Sequence, residues 1–253
     1  MKISVLSSGS KGNCTYIETT NHKILIDIGT SSLYVEKTLK NIGIEPSSID
    51  IILITHAHID HVGGLKVFCK KYNPLVYISS KIQKESNLNI LNSVISEKID
   101  INDDIKIKSI TLSHDVTDIK GYIIEEDESS VVYITDTGYI NERELKNIIN
   151  KNIYIFESNH DVEMLMNNEK YPHHTKIRIL SDKGHLSNID SAYYLSKLIG
   201  ANTKQVILAH LSDQNNTEEL ALETHYETLK RKNIKFNNIL VAKQNEMTEI
   251  FEV

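Results

Sequence analysis

Cysteine is scarce in this sequence of 253 residues, and the two that occur lie far apart, at Cys14 and Cys69. They form no closely spaced pair of the kind that binds zinc through thiolates, so the pattern disfavours a thiolate metal site. We interpret them as two reduced thiols in the core or in a loop. Tryptophan is absent, and this absence decides nothing about function.

The sequence also lacks an excess of positive charge, because 28 Lys and Arg stand against 34 Asp and Glu, for a formal net charge of −6. A protein that only coats nucleic acid needs many cations to displace the counterions of the phosphates. This class is therefore excluded. A phosphate polymer remains a compatible substrate at a site where metal ions supply the positive charge.

Long apolar runs are missing as well, and none approaches the roughly 18 residues of a membrane span. The opening MKISVLSSGSKGN has an apolar stretch too short for a signal peptide. We therefore expect a cytoplasmic protein without a membrane segment. The length and the ordinary composition are typical of a single domain over residues 1–253.

Short apolar runs bounded by turn residues predict strands, beginning with Lys2–Ser7, Thr15–Thr19 and Lys23–Asp27. Ile51–Ile54 predicts another strand, and Val62–Tyr72 predicts a helix. Along the chain, strands come first in groups and then alternate with helices. This order favours an α/β fold with two mixed sheets back to back and helices on both outer faces.

The strongest chemical signal is the segment His56-Ala-His58-Ile-Asp60-His61, which follows the predicted strand Ile51–Ile54. An HxHxDH pattern arises by chance in such a chain with odds of roughly one in a thousand. In an extended segment His56 and His58 face the same way and can chelate one ion, while Asp60 and His61 can reach a second. Imidazole with carboxylate suits Zn²⁺, Mn²⁺ or Fe²⁺. The alternative is a loop of solvated histidines.

Single acidic residues and histidines also follow other apolar runs. Asp27 ends KILID, His114 ends KSITLSH, Asp136 ends VVYITD and His210 ends QVILAH. A lone histidine after a strand is more often a surface or core residue than a ligand. Each of the four, however, stands at the end of a predicted strand, where the rim of a β-sandwich would gather such side chains.

In these residues the whole chain resembles the metallo-β-lactamase superfamily. The resemblance implies an αββα sandwich of two mixed sheets flanked by helices, with two divalent metal ions, Mn²⁺ or Zn²⁺, bridged by Asp136. It also implies the remaining metal ligands in two sets, one for each ion: His56, His58 and His114, and Asp60, His61 and His210. Asp27 is expected to accept a hydrogen bond from a ligand or to orient the HxHxDH loop.

Further segments stand out beside these ligands. In the small-residue loop Ser7–Asn13, backbone N–H groups with Lys11 are suited to holding a phosphate, so Ser10, Lys11 and Asn13 are candidate substrate contacts. A tight connection between two strands explains the same loop equally well.

The segments Glu157-Ser158-Asn159-His160-Asp161 and Gly184-His185-Leu186-Ser187-Asn188 carry additional histidines. We expect His185 or His160 to protonate the leaving oxygen of the substrate, since imidazole titrates near neutral pH. Glu157 and Asn159 are candidates for supporting the ligands, and Ser187 for contacting the substrate. The alternative is that both histidines are buried, hydrogen-bonded core residues.

Together these segments resemble the YycJ/WalJ group of bacterial metallo-β-lactamase-fold proteins, with Ser158 in place of the commoner Ala. The resemblance implies a cytoplasmic 5′→3′ DNA exonuclease in which a metal-bound hydroxide attacks phosphorus and Asp60 is essential. Lys170–His185 adds four cations against one acid, which suits a phosphate substrate or simply a solvated helix face.

The runner-up is a hydrolase of a small cyclic phosphodiester, a thioester, a β-lactam or a lactone on the same scaffold, because fold alone does not determine function. Asp136 and His210 are only 74 positions apart, which leaves no room for the inserted domain of the large RNA- and DNA-processing branches. Di-iron oxygen reductases of this superfamily have Glu at the position of His58, so that class is disfavoured. A metal-free binding module should have lost ligands, and none is missing.

Overall fold

Strands rich in isoleucine, valine and leucine build two mixed β-sheets in the computed structural model, which describes residues 1–102 and 104–253. The contacts within the chain define two units. Unit 1 comprises Met1–Ser109, Val116–Lys120 and Ala242–Val253, and unit 2 comprises Ile110–Asp115 and Gly121–Val241. A single domain over residues 1–253 stays a prediction.

The strands of the described residues are β1 (Lys2–Ser7), β2 (Cys14–Glu18), β3 (Lys23–Ile26), β4 (Ile51–Leu53), β5 (Leu75–Ile78), β6 (Ser93–Ile95), β7 (Asp100–Asn102), β8 (Lys106–Thr111), β9 (Lys120–Glu126), β10 (Ser129–Ile134), β11 (Ile153–Glu157), β12 (Gln205–Ala209), β13 (Ile239–Val241) and β14 (Phe251–Glu252). The helices are α1 (Ser32–Asn41), α2 (Ile59–Val62), α3 (Leu65–Tyr72), α4 (Ser80–Ser86), α5 (Glu142–Asn147), α6 (Val162–Asn167), α7 (His173–Leu180), α8 (Asn188–Leu198) and α9 (Glu218–Arg231), with a 3₁₀ turn at Pro46–Ser48.

The first sheet has the strand order β14-β1-β2-β3-β4-β5-β6 and lies in unit 1. Neighbours from β14 to β3 run antiparallel, and those from β3 to β6 run parallel. Ile26 pairs with Leu53 at the end of β3 and β4. The residues that follow these two strands therefore emerge side by side.

The second sheet has the order β13-β12-β11-β10-β9-β8-β7, and boundaries between the units fall within β8 and after the first residue of β9. Strands β10 to β13 are parallel neighbours, whereas β9 runs antiparallel to β10 and β7 antiparallel to β8. Ile134 pairs with Phe156, and Glu157 with Ala209. The carboxyl ends of β10, β11 and β12 thus meet at one edge.

Apolar side chains at helical spacing hold the helices of unit 1 against its sheet. Val35 and Leu39 on α1 and Leu65 and Phe68 on α3 belong to one buried cluster with strand residues such as Leu25. At the N-terminus of α1, the Ser31 side chain accepts a hydrogen bond from the backbone N–H of Tyr34, which satisfies an otherwise unpaired donor of the first turn.

Helices α8 and α9 contact each other in unit 2. Ser187 caps α8 and Thr217 caps α9. Between them His225 is buried, with Nδ1 2.7 Å from the carbonyl of Ala221 and Nε2 3.1 Å from Oγ of Ser191. Burial lowers the pKa of His225 to about 4, so its imidazole is neutral at neutral pH.

The prediction of two mixed sheets flanked by helices is confirmed. The helix predicted over Val62–Tyr72 is present as α3 and ends at Tyr72 as predicted, but it begins at Leu65, because α2 ends at Val62 and the chain turns at Gly63 and Gly64. A Cβ at Gly64 would lie 2.1 Å from the carbonyl oxygen of Thr30, so glycine permits this close backbone approach. No helix among the described residues is long and apolar enough to cross a membrane.

Candidate metal centre

In unit 1 the HxHxDH segment brings its imidazoles together. It leaves the end of β4, and α2 begins within it at Ile59. The ring of His56 lies 4.8 Å from that of His58 and 4.0 Å from that of His61, measured between centroids. His56 and His61 are buried, whereas His58 and Asp60 are half-buried.

Asp27 stands at the end of the neighbouring strand β3, with φ at 59°. Its Oδ2 accepts a hydrogen bond from Nδ1 of His61 at 2.7 Å. Thr55 donates its backbone N–H to Oδ1 at 2.8 Å and its hydroxyl to Oδ2 at 2.7 Å. Burial raises the pKa of Asp27, and His61 and Thr55 partly offset this rise. Asp27 therefore makes the contact that the predicted orienting role requires.

Thr55 also fixes the first histidine of the motif. Its hydroxyl hydrogen points to Asp27, so its Oγ1 accepts a hydrogen bond from Nδ1 of His56 at 3.0 Å. With Nδ1 protonated on both His56 and His61, the Nε2 atoms carry the lone pairs. Thr55 was not among the predicted site residues, and only its position directly before the motif was a signal.

In unit 2 the carboxyl edge of the parallel strands gathers the next set of residues. Asp136 follows β10 and His210 follows β12, and both have φ at 58°, while Glu157 ends β11. One donor atom from each of Asp136, Glu157, His185 and His210 lies within 4.8 Å of the others. The strand-end positions chosen from the sequence thus converge within this unit.

Glu157 is the centre of a hydrogen-bond network in this group. Its Oε1 accepts from Nδ1 of His185 at 2.8 Å and from Nδ1 of His210 at 3.0 Å. Its Oε2 accepts from the backbone N–H groups of Thr137 at 2.9 Å and Leu186 at 3.1 Å. Burial by itself raises the pKa of Glu157, but the charge of His185 and the bonds from both histidines outweigh it and hold this pKa at about 2.

His114, after β8, completes the set in unit 2. Its Nδ1 donates to the carbonyl of Gly184 at 3.0 Å, and its ring lies 4.9 Å from that of His185. Burial lowers the pKa of His114, which favours the neutral imidazole that binds metal.

The remaining predicted residues of unit 2 lie close by. Asn159 donates its side-chain amide to the carbonyl of His210 at 2.8 Å and so supports that residue's backbone. His160 is buried, and neither ring nitrogen has a hydrogen-bond partner among the residues that the structure describes. Burial and the charge of His185 lower the pKa of His160 to about 4. Ser187 is buried and exchanges hydrogen bonds with Asp190 as the cap of α8.

In the opening loop Ser10 and Lys11 are exposed, but Asn13 is buried, and its side chain bonds to protein groups. The cations of 170–183 lie on or beside α7, which has no buried residue among its described positions. Arg178 pairs with Asp115 at 2.9 Å, and Lys176 donates to the carbonyl of Met166 at 2.6 Å.

The donor set fits a metal centre. A histidine that binds metal through Nε2 commonly donates its Nδ1–H to a carboxylate, hydroxyl or carbonyl, which fixes the ring. His61, His56, His114 and His210 each have such a partner, respectively Asp27, Thr55, Gly184 and Glu157. Imidazole and carboxylate donors of this kind imply divalent metal ions.

The model of the family described as Metallo-beta-lactamase superfamily matches residues 8–176. The chain belongs to the metallo-β-lactamase superfamily. This confirms the resemblance to the superfamily, and the matched range contains the HxHxDH segment. The crystal structure of the metallo-β-lactamase fold protein YhfI from Bacillus subtilis supports the same fold, with a TM-score of 0.70 at 14% identity over 98% of this chain and 99% of that one.

Two curated relatives lie in the group suggested by the sequence. Exodeoxyribonuclease WalJ of Streptococcus pneumoniae is 40% identical over 229 residues, which is 87% of this chain and 85% of that protein. Exodeoxyribonuclease YycJ of Bacillus anthracis is 38% identical over 239 residues, 92% of this chain and 90% of that protein. The predicted relationship to the YycJ/WalJ group is confirmed.

Proposed function

We propose that this superfamily member is a metal-dependent phosphodiesterase, an exodeoxyribonuclease that degrades DNA from the 5′ end in the cytoplasm. The observation that carries the proposal is the set of histidines whose Nδ1 atoms are held by hydrogen bonds, which fixes the ring orientation and leaves Nε2 as the nitrogen that would bind metal. Identity of 38–40% with two exodeoxyribonucleases, over most of each chain, supports the reaction and the substrate.

Two divalent ions, Mn²⁺ or Zn²⁺, are proposed to bind with Asp136 as the bridge. The other ligands divide into one set for each ion: His56, His58 and His114, and Asp60, His61 and His210. When bound, two such ions activate a water molecule and neutralise charge on the phosphate. Asp27 and Glu157 hold the imidazoles of His61 and His210 in orientation for this task.

His185 is the proposed general acid. Its Nδ1 is fixed by the Glu157 carboxylate at 2.8 Å, and its side chain is 20% exposed, so it can meet a substrate. In the protonated imidazole, Nε2–H is the proton that passes to the leaving oxygen. His160 is a poorer acid, because it is buried and its pKa of about 4 keeps it neutral at neutral pH.

Substrate contacts are proposed for the exposed Ser10 and Lys11 and for the cations beside α7. Ser187, predicted as a substrate contact, is better explained as the cap of α8, since its hydroxyl is buried and donates to Asp190 at 2.6 Å.

The test is digestion of end-labelled single- and double-stranded DNA and RNA with Mn²⁺, with Zn²⁺ and with EDTA. We expect mononucleotides released from the 5′ end of DNA with metal and none with EDTA. Parallel assays with bis(p-nitrophenyl) phosphate, nitrocefin and a thioester examine the alternative. Turnover of a small substrate with no cleavage of any polynucleotide would contradict the proposal. Elemental analysis that finds fewer than two ions per chain in metal-replete protein would contradict the dinuclear centre.

A further inference from the structure

The glycine-containing loop Ser7–Asn13 connects β1 to β2, and a phosphate-binding role would need its N–H groups to point outward. The structure directs them to the protein instead. The N–H of Gly9 donates to Oδ1 of Asn13 at 2.8 Å, and that of Gly12 to the carbonyl of Gly9 at 3.0 Å. The N–H of Lys11 donates to Oε1 of Gln244 at 2.8 Å. The backbone of this loop is therefore engaged in holding its own shape.

The loop also packs backbone to backbone against the HxHxDH segment within unit 1. Asn13 donates its N–H to the carbonyl of Asp60 at 2.8 Å and accepts at its own carbonyl from the N–H of Gly29 at 2.8 Å. A Cβ at Gly29 would lie 1.6 Å from the carbonyl oxygen of Asp60, and one at Gly12 would lie 2.6 Å from the nitrogen of Thr30. Glycine at both positions is what permits this contact.

The Asn13 side chain extends the same contact to the predicted ligands. It is 1% exposed. Its Nδ2 lies 3.0 Å from Nε2 of His61, 3.3 Å from the carbonyl of Asp60 and 3.5 Å from Oδ2 of Asp60. The same Nδ2 also donates to the carbonyl of Gly9 at 3.1 Å, while Oδ1 accepts from Gly9 N–H. Asn13 thus joins the opening loop to two consecutive residues of the motif.

We infer that Asn13 is a positioning residue for Asp60, through the bonds from Nδ2 to its carbonyl and carboxylate oxygens, and that the loop Ser7–Asn13 supports the metal-ligand turn. The contact to Nε2 of His61 is not part of this role, because an ion would bind through the same lone pair. This gives Asn13 a role other than the substrate contact expected from the sequence. The inference rests on the proposed function, because it assumes that Asp60 and His61 bind the same ion. Its specific consequence is that Asn13 affects the affinity for one ion and leaves the ion of His56 and His58 unaffected.

The experiment titrates the full-length protein with Zn²⁺ against a chromophoric chelator of known affinity, for the wild type and for Asn13→Ala. Residues that orient metal ligands typically affect metal affinity by 10–100-fold, so one of the two ions should bind about 10–100-fold more weakly in Asn13→Ala. At saturating metal, KM for a 5′-labelled oligonucleotide should be unchanged. Asn21→Ala is the matched control, since this exposed asparagine of unit 1 donates only to Asp104 in the described contacts, and both affinities should be retained.

Wild-type affinity for both ions in Asn13→Ala would overturn the inference, whatever the KM. A higher KM in the same variant would return Asn13 to the substrate site. An equal loss of affinity for both ions would also overturn it. If the wild type itself binds no Zn²⁺, the proposed function fails, and that outcome is seen before any variant is compared.

A second variant decides the matter if Asn13→Ala does not fold by circular dichroism. Gln244 holds the loop from another side, with Nε2 donating to the carbonyl of Gly12 at 2.9 Å and to Oγ of Ser7 at 3.0 Å. Gln244→Ala should weaken the same single ion, because it loosens the loop without removing Asn13. Unchanged Zn²⁺ affinity in Gln244→Ala would overturn the inference.

Discussion

Glu157→Gln is the most informative perturbation of the candidate centre. The carboxylate accepts hydrogen bonds from His185 and His210 at one oxygen and from the N–H groups of Thr137 and Leu186 at the other. Every partner is a donor. Glutamine supplies one acceptor oxygen and one NH₂ group. Either the two histidines or the two backbone N–H groups must therefore face the NH₂ group, which is itself a donor.

If the amide oxygen stays with the histidines, the backbone N–H groups of Thr137 and Leu186 lose their acceptor in a buried place. Each buried donor left without a partner costs about 1–3 kcal/mol, so the free energy of unfolding should fall by about 2–6 kcal/mol. A typical slope of about 1–3 kcal/mol per molar urea converts this to a midpoint lower by about 1 M or more. If the amide rotates instead, the two histidines lose their anchor and metal affinity falls.

The assay is urea unfolding of the metal-free protein, followed by Zn²⁺ titration of the same samples. Glu163→Gln, at an exposed position of α6, is the control and should leave both measurements unchanged. A Glu157→Gln protein with the wild-type urea midpoint and wild-type Zn²⁺ affinity would refute the account of Glu157 as a shared acceptor.

Asp60→Ala should abolish turnover and lower the metal content by one ion per chain. Near wild-type activity of this variant in saturating Mn²⁺ would show that the assignment of Asp60 as a ligand is wrong. His185→Ala should reduce kcat on DNA by about 10²–10⁴ with both metals bound, the usual contribution of a general acid. A p-nitrophenyl ester, whose leaving group needs no proton, should restore the rate, whereas equal damage on both substrates would argue against the acid role. His225 binds its proton only near pH 4 in the folded state but near 6.5 in the unfolded chain, so its contribution to stability falls as pH decreases. Between pH 8 and pH 5 this loss in the free energy of unfolding is about 2 kcal/mol. Urea unfolding curves of His225→Gln should lack this part of the pH dependence. A pH dependence equal to that of the wild type would contradict the assignment of a neutral, buried His225.

The sequence predicted what depends on local pattern. Apolar runs located the strands, and Asp136 and His210 at their ends converge in the structure because β10, β11 and β12 are parallel neighbours. The HxHxDH spacing located the imidazoles of unit 1. Parallel strands end at the same edge of a sheet, so both predictions needed only strand boundaries and the residue types that follow them.

What the sequence did not predict depends on contacts between distant segments. Nothing in the sequence distinguishes Thr55 from other residues that follow a strand. Its importance follows from the folded structure, in which its hydroxyl lies between Asp27 and His56. The opening loop has the composition of a phosphate-binding loop, and only its contacts with Gln244 and Asp60 show that its backbone groups are already bonded within the protein. The turn between α2 and α3 likewise depends on the approach of Thr30 to Gly64.

The positive φ angles of Asp27, Asp136 and His210 restrict which residues can replace them. The left-handed region is uncommon for residues other than glycine, but Asn, Asp and His enter it several-fold more often than most, and β-branched side chains are genuine outliers there. A residue at one of these positions must therefore meet two requirements. Its side chain must carry an oxygen or nitrogen atom, and its backbone must tolerate a positive φ angle. Threonine at any of these positions would strain the main chain as well as remove the carboxylate or imidazole. Asparagine at Asp136 suits the same backbone, so that substitution removes the charge and one acceptor oxygen without straining the main chain.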